Sequence, residues 1–225
     1  FLVPSIALLN QTLLAWNADR DKDLQMIFFA VCSDDTVGKN DDEDLKVTDL
    51  AYPATTRADD LIGSWTFISD ERKENSMTVI FSTYQSLRLI NEIQSSGFPN
   101  FDLIICDEAH RTTGSTLKGK EDSDFVKVHD ENYIHAIKRL YMTATPKIYT
   151  EAVSKKAKDK GAEVFSMDDK NLFGEDFYTL SFSRAIQENL LSDYRVMVLA
   201  IDEKAVSDAV ADLIEKYKLD PDDAT

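Results

Sequence analysis

Residues Phe101 to Thr113 read F-D-L-I-I-C-D-E-A-H-R-T-T, and this stretch decides the expected fold. A mainly apolar run of strand length comes first, and two adjacent carboxylates, Asp107 and Glu108, follow it directly. Continuous apolar runs of this length are typical of strands that are covered on both faces of a parallel sheet. Ligands of such sheets bind at the carboxyl edge. The stretch therefore predicts a buried parallel strand that brings two carboxylates to a binding edge.

The two carboxylates suggest a chemistry. A carboxylate at this edge can hold the Mg²⁺ of a nucleotide, and its neighbour can orient an attacking water. The plain alternative is a strand that runs into a polar turn. Nucleotide hydrolysis is favoured because the pair ends an apolar run and suitable partner segments occur elsewhere in the chain. The pair Asp107–Glu108 is therefore a candidate to hold a metal ion and to orient water.

The rest of the chain alternates strand-like and helix-like segments, as expected for a mainly parallel sheet built from βα units. A chain of 225 residues can hold one large α/β domain, or one domain and part of another. The opening residues lack an initiator Met and resemble the middle of a strand, so we expect a piece of a longer protein. The clearest strand candidates are Phe1–Pro4, Gln25–Cys32, Met77–Phe81, Phe101–Cys106 and Leu140–Thr143.

Other segments carry weaker patterns. Ser5 is expected to cap a first helix, and Tyr84–Ile93 reads as a helix with one apolar stripe. Further expectations are a helix that begins at Thr55 or Thr56, a polar mobile segment Gly114–Asp124, a helix Asn132–Arg139, strands Tyr178–Phe182 and Tyr194–Ile201, and an amphipathic helix Glu203–Leu219.

Composition limits the possible environments and partners. No apolar run approaches the roughly 20 residues that span a bilayer. The two cysteines, Cys32 and Cys106, end apolar runs as small core residues do, which fits a reducing cytoplasm. The net charge of −16, from 41 acids and 25 bases, argues against a surface that binds nucleic acid by bulk charge. A local contact track remains possible.

Three further segments place hydroxyl and amide groups at strand ends. Leu140–Pro146 ends in Thr143 and Thr145, which can bond the acidic pair or a γ-phosphate; alone, it is an ordinary strand-end turn. Val79–Gln85 and Val3–Gln11 each lead from a strand into a helix N-terminus, a place that binds phosphates. A simple Ser/Thr helix cap explains these two equally well. The candidate phosphate-contact residues are Pro4, Ser5, Ser82, Thr83 and Gln85.

Taken together, these segments resemble the motifs of superfamily two helicases and translocases, the DEAD/DEAH-like motors with a RecA-like fold. V-P-S-I-A-L-L-N-Q resembles motif Ia, F-S-T-Y-Q-S-L motif Ib, C-D-E-A-H motif II and T-A-T-P motif III, in matching order and spacing. The resemblance implies that ATP and Mg²⁺ are cofactors, that Asp107 holds the Mg²⁺ with Glu108 nearby, and that Asp107, Thr143 and Thr145 lie at the nucleotide. It also implies that Glu108 positions the hydrolytic water and that His110 couples hydrolysis to movement. The five phosphate-contact candidates would then touch a nucleic-acid backbone.

A closer resemblance is to the motor of single-polypeptide type I-like (type ISP) restriction-modification enzymes and related predicted helicases of bacteria and phage. It rests on V-C-S-D-D, the segment Pro53-Ala54-Thr55-Thr56, D-E-A-H-R-T-T-G, V-H-D followed by R-L-Y-M-T-A-T-P-K-I-Y, and S-F-S-R-A-I-Q-E-N-L-L-S-D-Y-R-V. Motif III of DEAH RNA helicases usually reads S-A-T, and this chain has T-A-T-P at the same place, which favours DNA over RNA as the partner. The resemblance implies a first RecA-like domain at 1–176, a linker at 177–192 and the start of a second RecA-like domain at 193–225.

Two parts of the family pattern, the Walker A loop and the arginine finger, are missing from these residues. A Walker A loop needs a glycine-rich turn that ends in G-K-S or G-K-T. The two candidate segments, Gly38-Lys39-Asn40 and Gly119-Lys120-Glu121, lack both the other glycines and the final hydroxyl residue. In the family this loop would precede Phe1 and the arginine finger would follow Thr225, so the fragment alone is expected to hydrolyse ATP poorly or not at all. Two alternatives stay open: a non-catalytic RecA-fold scaffold that binds partners, and an RNA-directed motor.

Overall fold

The fold is taken from a computed structural model that describes residues 1–32, 54–117, 125–159 and 162–193. The chain divides into two compact units, Phe1–Glu175 and Asp176–Thr225. The roles assigned to 1–176, 177–192 and 193–225 stay predictions. The expected features that lie outside the described residues are the two glycine-lysine segments, the strand at 194–201 and the helix at 203–219.

Six strands of the first unit form a sheet in which every paired neighbour is parallel. In sheet order they are β3 (Ala54–Thr55), β2 (Met26–Val31), β4 (Met77–Thr83), β1 (Leu2–Val3), β5 (Phe101–Cys106) and β7 (Ala136–Tyr141). β1 is central and joins β4 and β5, because Leu2 lies opposite both Ser82 and Cys106. The prediction of a RecA-like, mostly parallel sheet with flanking helices is confirmed.

Helices cover the sheet, as parallel strands require. Among its described residues, the first unit has the helices α1 (Ile6–Asp19), α2 (Ala58–Phe67), α3 (Asp70–Glu74), α4 (Leu87–Ser95), α5 (Glu151–Asp159) and α6 (Lys170–Phe173). The predicted cap of α1 is confirmed, because the Ser5 hydroxyl accepts from the Leu8 N–H. α4 follows a 3₁₀ turn, Tyr84–Ser86, and buries the expected stripe.

The core has two parts, one on each face of the sheet. Neighbouring residues of β4 fall into different parts: Ile80 packs with α2 and α4, and Phe81 packs with α1. Leu2 and Val3 divide in the same way, as successive side chains of a strand point to opposite faces. β5 packs against the first part through Ile104 and Cys106, whereas Leu103 on its other face is 46% exposed, so this strand is buried on one face only. Its carboxyl end pairs with β1 at the edge of the sheet.

Four expectations about elements were wrong. The predicted helix Asn132–Arg139 is a turn followed by β7, because Ala136–Tyr141 pairs with β5. Thr55 belongs to β3, and α2 begins later, at Ala58. Gly114–Leu117 is a strand, β6, that pairs antiparallel with β8 (Ala162–Phe165). No strand forms at Tyr178–Phe182; helix α7 (Phe182–Gln187) of the second unit begins there, with Ser181 as its cap.

Within the described ranges, no helix combines the length and apolar character that crossing a membrane would require.

Candidate functional site

Asp107 leaves the carboxyl end of β5 and is held through its main chain. Its N–H donates to the Leu2 carbonyl at 2.9 Å, and its carbonyl accepts from the Tyr84 hydroxyl at 2.7 Å. The carboxylate Oδ1 accepts from the Glu108 N–H at 2.9 Å. No described residue bonds the second oxygen, and the side chain is partly exposed. One carboxylate oxygen of Asp107 is thus available to a ligand.

Glu108 has an unusual backbone conformation. Its φ of 48° and ψ of 43° lie in the left-handed region, which residues other than glycine seldom occupy. Such a residue persists only where its surroundings hold it, and here the next residue is anchored by the Ala109 N–H, 2.9 Å from the Met142 carbonyl. Strain of this kind is often found at functional sites. The turn directs the Glu108 carboxylate toward His110.

His110 joins the acidic pair to the end of β7. Its Nδ1 lies 3.2 Å from Glu108 Oε2, 2.9 Å from Thr143 Oγ1 and 3.3 Å from Thr145 Oγ1. The Thr145 N–H also donates to Thr143 Oγ1, at 3.1 Å. The structure therefore brings together the side chains of Glu108, His110, Thr143 and Thr145, although more than thirty residues of chain separate the histidine from either threonine.

A second histidine, His129, supports the site. His129 Nε2 lies 3.2 Å from the Thr112 carbonyl, and Nδ1 lies 2.9 Å from the Tyr141 hydroxyl. Burial lowers the pKa of His129 to about 4, so the ring is neutral at pH 7. The neutral ring can donate from Nε2 to the carbonyl while Nδ1 accepts from the phenol. His129 thereby fastens the turn that follows His110; its only sequence signal is its place in V-H-D.

The five phosphate-contact candidates lie at the same edge, where β1 and β4 end side by side. Ser5, Ser82 and Thr83 are buried. Their hydroxyls bond within the protein; for example, Thr83 Oγ1 lies 2.8 Å from Ser86 Oγ. Gln85 reaches across to the first segment, since its Nε2 donates to the Pro4 carbonyl at 3.3 Å. The two segments are thus joined to each other, and their contact with nucleic acid stays a prediction.

The donor set at this edge fits Mg²⁺ that arrives with a nucleotide. Across the described part of the chain, no group of three or more His, Cys, Asp or Glu side chains could hold a metal ion by itself. Mg²⁺ bound with a nucleotide does not need such a group, because one or two carboxylates suffice and phosphates and waters complete the shell. Asp107, with one oxygen available beside Glu108, matches this arrangement.

The parallel six-stranded sheet with an acidic pair at its carboxyl edge defines the class of this protein: a RecA-like helicase motor domain. The family model described as "Type III restriction enzyme, res subunit" (ResIII) matches residues 1–148. The chain belongs to this family.

The solved structures that are similar to this chain include those of two type ISP enzymes. The ATP-dependent Type ISP restriction-modification enzyme LlaBIII bound to DNA is 44% identical, with a TM-score of 0.69 over 95% of this chain and 14% of that chain. A nuclease-deletion mutant of the Type ISP restriction-modification enzyme LlaGI, in complex with a DNA substrate mimic, is 39% identical, with a TM-score of 0.60 over 86% of this chain and 14% of that chain. This chain therefore spans about a seventh of either enzyme's length. Among curated proteins, none matches it. The predicted likeness to type ISP enzymes is confirmed.

Proposed function

We propose that this chain is part of the motor of an ATP-dependent DNA translocase in a restriction-modification enzyme. ATP binds with Mg²⁺ at the carboxyl ends of β5 and β7, and its hydrolysis drives movement along DNA. The observation that carries this proposal is the contact of Glu108 and His110 with Thr143 and Thr145. It joins the acidic pair to a neighbouring strand end, as a site that reports on nucleotide state requires.

Each residue of the site has a role in the proposal. Asp107 would hold Mg²⁺ through its available carboxylate oxygen, and the ion would supply positive charge against the phosphates. Glu108, whose side chain is 39% exposed, orients the attacking water. His110 shares its Nδ1 among Glu108, Thr143 and Thr145, so a change at the carboxylate alters which hydroxyl it bonds. Thr143 and Thr145 pass that change to β7.

DNA is the proposed track because both similar structures are complexes with DNA or a DNA mimic. The five phosphate-contact candidates lie on the two segments that Gln85 joins, at the edge that also carries Asp107. With a net charge of −16, this chain offers local backbone contacts rather than a broad basic surface. The second RecA-like domain and other parts of the same polypeptide are the proposed partners that complete the DNA and nucleotide sites.

The test is DNA-stimulated ATPase of the full-length polypeptide that contains this chain. Glu108→Gln keeps the size of the side chain but removes the carboxylate, and we expect the rate to fall about 100-fold or more while ATP binding is retained. Glu71→Gln, at an exposed position in α3, is the matched control and should keep the wild-type rate.

Three results would change this proposal. An unchanged rate in Glu108→Gln would refute the role of Glu108. A wild-type enzyme without DNA-stimulated ATPase would instead favour a non-catalytic scaffold, the alternative to which the acidic composition points. Stronger stimulation by RNA than by duplex DNA would favour an RNA-directed motor.

A further inference from the structure

Tyr84 forms a link between two strand ends that are not neighbours in the sheet. It is the first residue after β4, it is fully buried, and its hydroxyl donates to the Asp107 carbonyl at 2.7 Å. β1 lies between β4 and β5. Since adjacent strands are about 4.8 Å apart, the phenol spans a gap of roughly 10 Å across the end of β1. One side chain thus ties the Ser82–Gln85 segment directly to the acidic pair.

The bond acts on one particular peptide group. The Asp107 carbonyl and the Glu108 N–H belong to the same planar unit. Tyr84 holds the oxygen of this unit, and Asp107 Oδ1 accepts from its N–H at 2.9 Å. Rotation of the peptide plane would break both hydrogen bonds together. The Tyr84 hydroxyl therefore helps to decide where the Asp107 carboxylate points and how the left-handed turn at Glu108 begins.

The surroundings of Tyr84 keep its hydroxyl protonated and in place as the hydrogen-bond donor. Its ring packs against Phe125, with centroids 5.2 Å apart. Burial raises the pKa of Tyr84 far above its ordinary value, so the hydroxyl retains its proton. A carbonyl oxygen accepts and cannot donate, and the phenol is therefore always the donor.

We propose that Tyr84 is a positioning residue for nucleotide hydrolysis, which sets the Asp107–Glu108 peptide and hence the metal-binding carboxylate. This inference rests on the proposed function and adds a residue to it. The Tyr84 side chain reaches neither carboxylate directly; it acts through the peptide that joins them. Because Tyr84 belongs to the segment Ser82–Gln85, this hydrogen bond also connects the candidate nucleic-acid segment to the metal site.

The test is Tyr84→Phe in the full-length polypeptide, with ATPase measured as a function of Mg²⁺ concentration. Removing a group that orients a metal ligand commonly costs 10- to 100-fold in metal affinity or activity. We expect about a tenfold rise in the Mg²⁺ concentration for half-maximal rate, with the KM for ATP at saturating Mg²⁺ changed by less than about twofold. High Mg²⁺ should restore most of the rate.

Tyr141→Phe is the matched control. It also removes a phenol hydroxyl, that of a half-buried tyrosine which bonds His129 instead of Asp107, and it should keep the wild-type Mg²⁺ dependence. A second variant, with 3-fluorotyrosine at position 84, keeps the hydroxyl and should also keep that dependence. Thermal unfolding of the three variants reports any loss of folded protein. Such a loss would lower the maximal rate but would not change the Mg²⁺ concentration for half-maximal rate.

Several outcomes would overturn the proposal. An unchanged Mg²⁺ midpoint in Tyr84→Phe would do so, as would equal shifts in Tyr84→Phe and Tyr141→Phe, which would indicate a general packing effect. A shift in the fluorotyrosine variant would also assign the effect to packing. Failure of the proposed function is separate, because it would be seen as wild-type activity in Glu108→Gln whatever the behaviour of Tyr84→Phe.

Discussion

Glycine at position 108 is expected to make the 225-residue chain more stable than alanine does at the same position. Both substitutions remove the carboxylate and its contact with His110, so the comparison isolates the backbone. Glu108 has a φ of 48°, a value that glycine adopts freely and alanine does not. Glu108→Ala keeps the strain of this turn, and Glu108→Gly relieves it.

The size of the difference follows from two opposing effects. A residue with a Cβ in the left-handed region costs roughly 1–2 kcal/mol. Glycine gains additional freedom in the unfolded chain, which offsets about 0.4–1 kcal/mol of that relief. The free energy of unfolding of Glu108→Gly should therefore exceed that of Glu108→Ala by about 0.5–1 kcal/mol.

Guanidinium denaturation at equilibrium measures this difference. Position 71 provides a control of opposite sign, because Glu71 lies in the helix α3, where glycine is less stable than alanine by roughly 0.5–1 kcal/mol. We expect glycine to be favoured at 108 and disfavoured at 71. A lower stability of Glu108→Gly than of Glu108→Ala would refute the left-handed turn and, with it, the described direction of the Glu108 side chain.

Two further predictions concern the supports of the site. Thr143→Val removes the hydroxyl 2.9 Å from His110 Nδ1 but keeps the shape of the side chain. We therefore expect the kcat of DNA-stimulated ATPase in the full-length polypeptide to fall about tenfold, with little change in ATP binding. A kcat equal to that of the wild type would contradict the role of this contact. The second concerns pH: His129 has a pKa of about 4 in the folded chain and 6.5 as its ordinary value, so the unfolded chain binds more protons between these values. The contribution of His129 to the free energy of unfolding should be complete above pH 6.5 and should fall by up to about 3 kcal/mol as the pH drops toward 4. Denaturation measured at several pH values should show a flatter dependence in His129→Gln.

Local patterns were sufficient for several elements of the first unit. The apolar run at Phe101–Cys106 predicted β5 with the observed bounds, and Ser5 predicted the start of α1. These features depend on neighbours in sequence: a buried strand needs a continuous apolar run, and a cap needs a hydroxyl within reach of the next free N–H groups. The apolar stripe of α4 was predictable for the same reason.

Other elements depended on pairing with distant strands. A-I-K-R-L-Y at Ala136–Tyr141 is compatible with a helix or a strand, and its place opposite β5, with Leu140 beside Ile105, makes it β7. The two-residue strand at Ala54–Thr55 has no local pattern of its own and exists because it bonds to the end of β2. Such segments take the structure that their partners stabilise, which overrides local propensity.

The amino-acid sequence by itself determined which residues form the candidate site, because an acidic pair after an apolar run is a local feature. It also placed Thr143 and Thr145 at the end of a neighbouring strand. Tertiary structure alone decided the left-handed turn at Glu108, the bond from Tyr84 to Asp107 and the support from His129. The physical reason is that these contacts join residues far apart in the chain, and their geometry exists only once the strands of the sheet lie side by side.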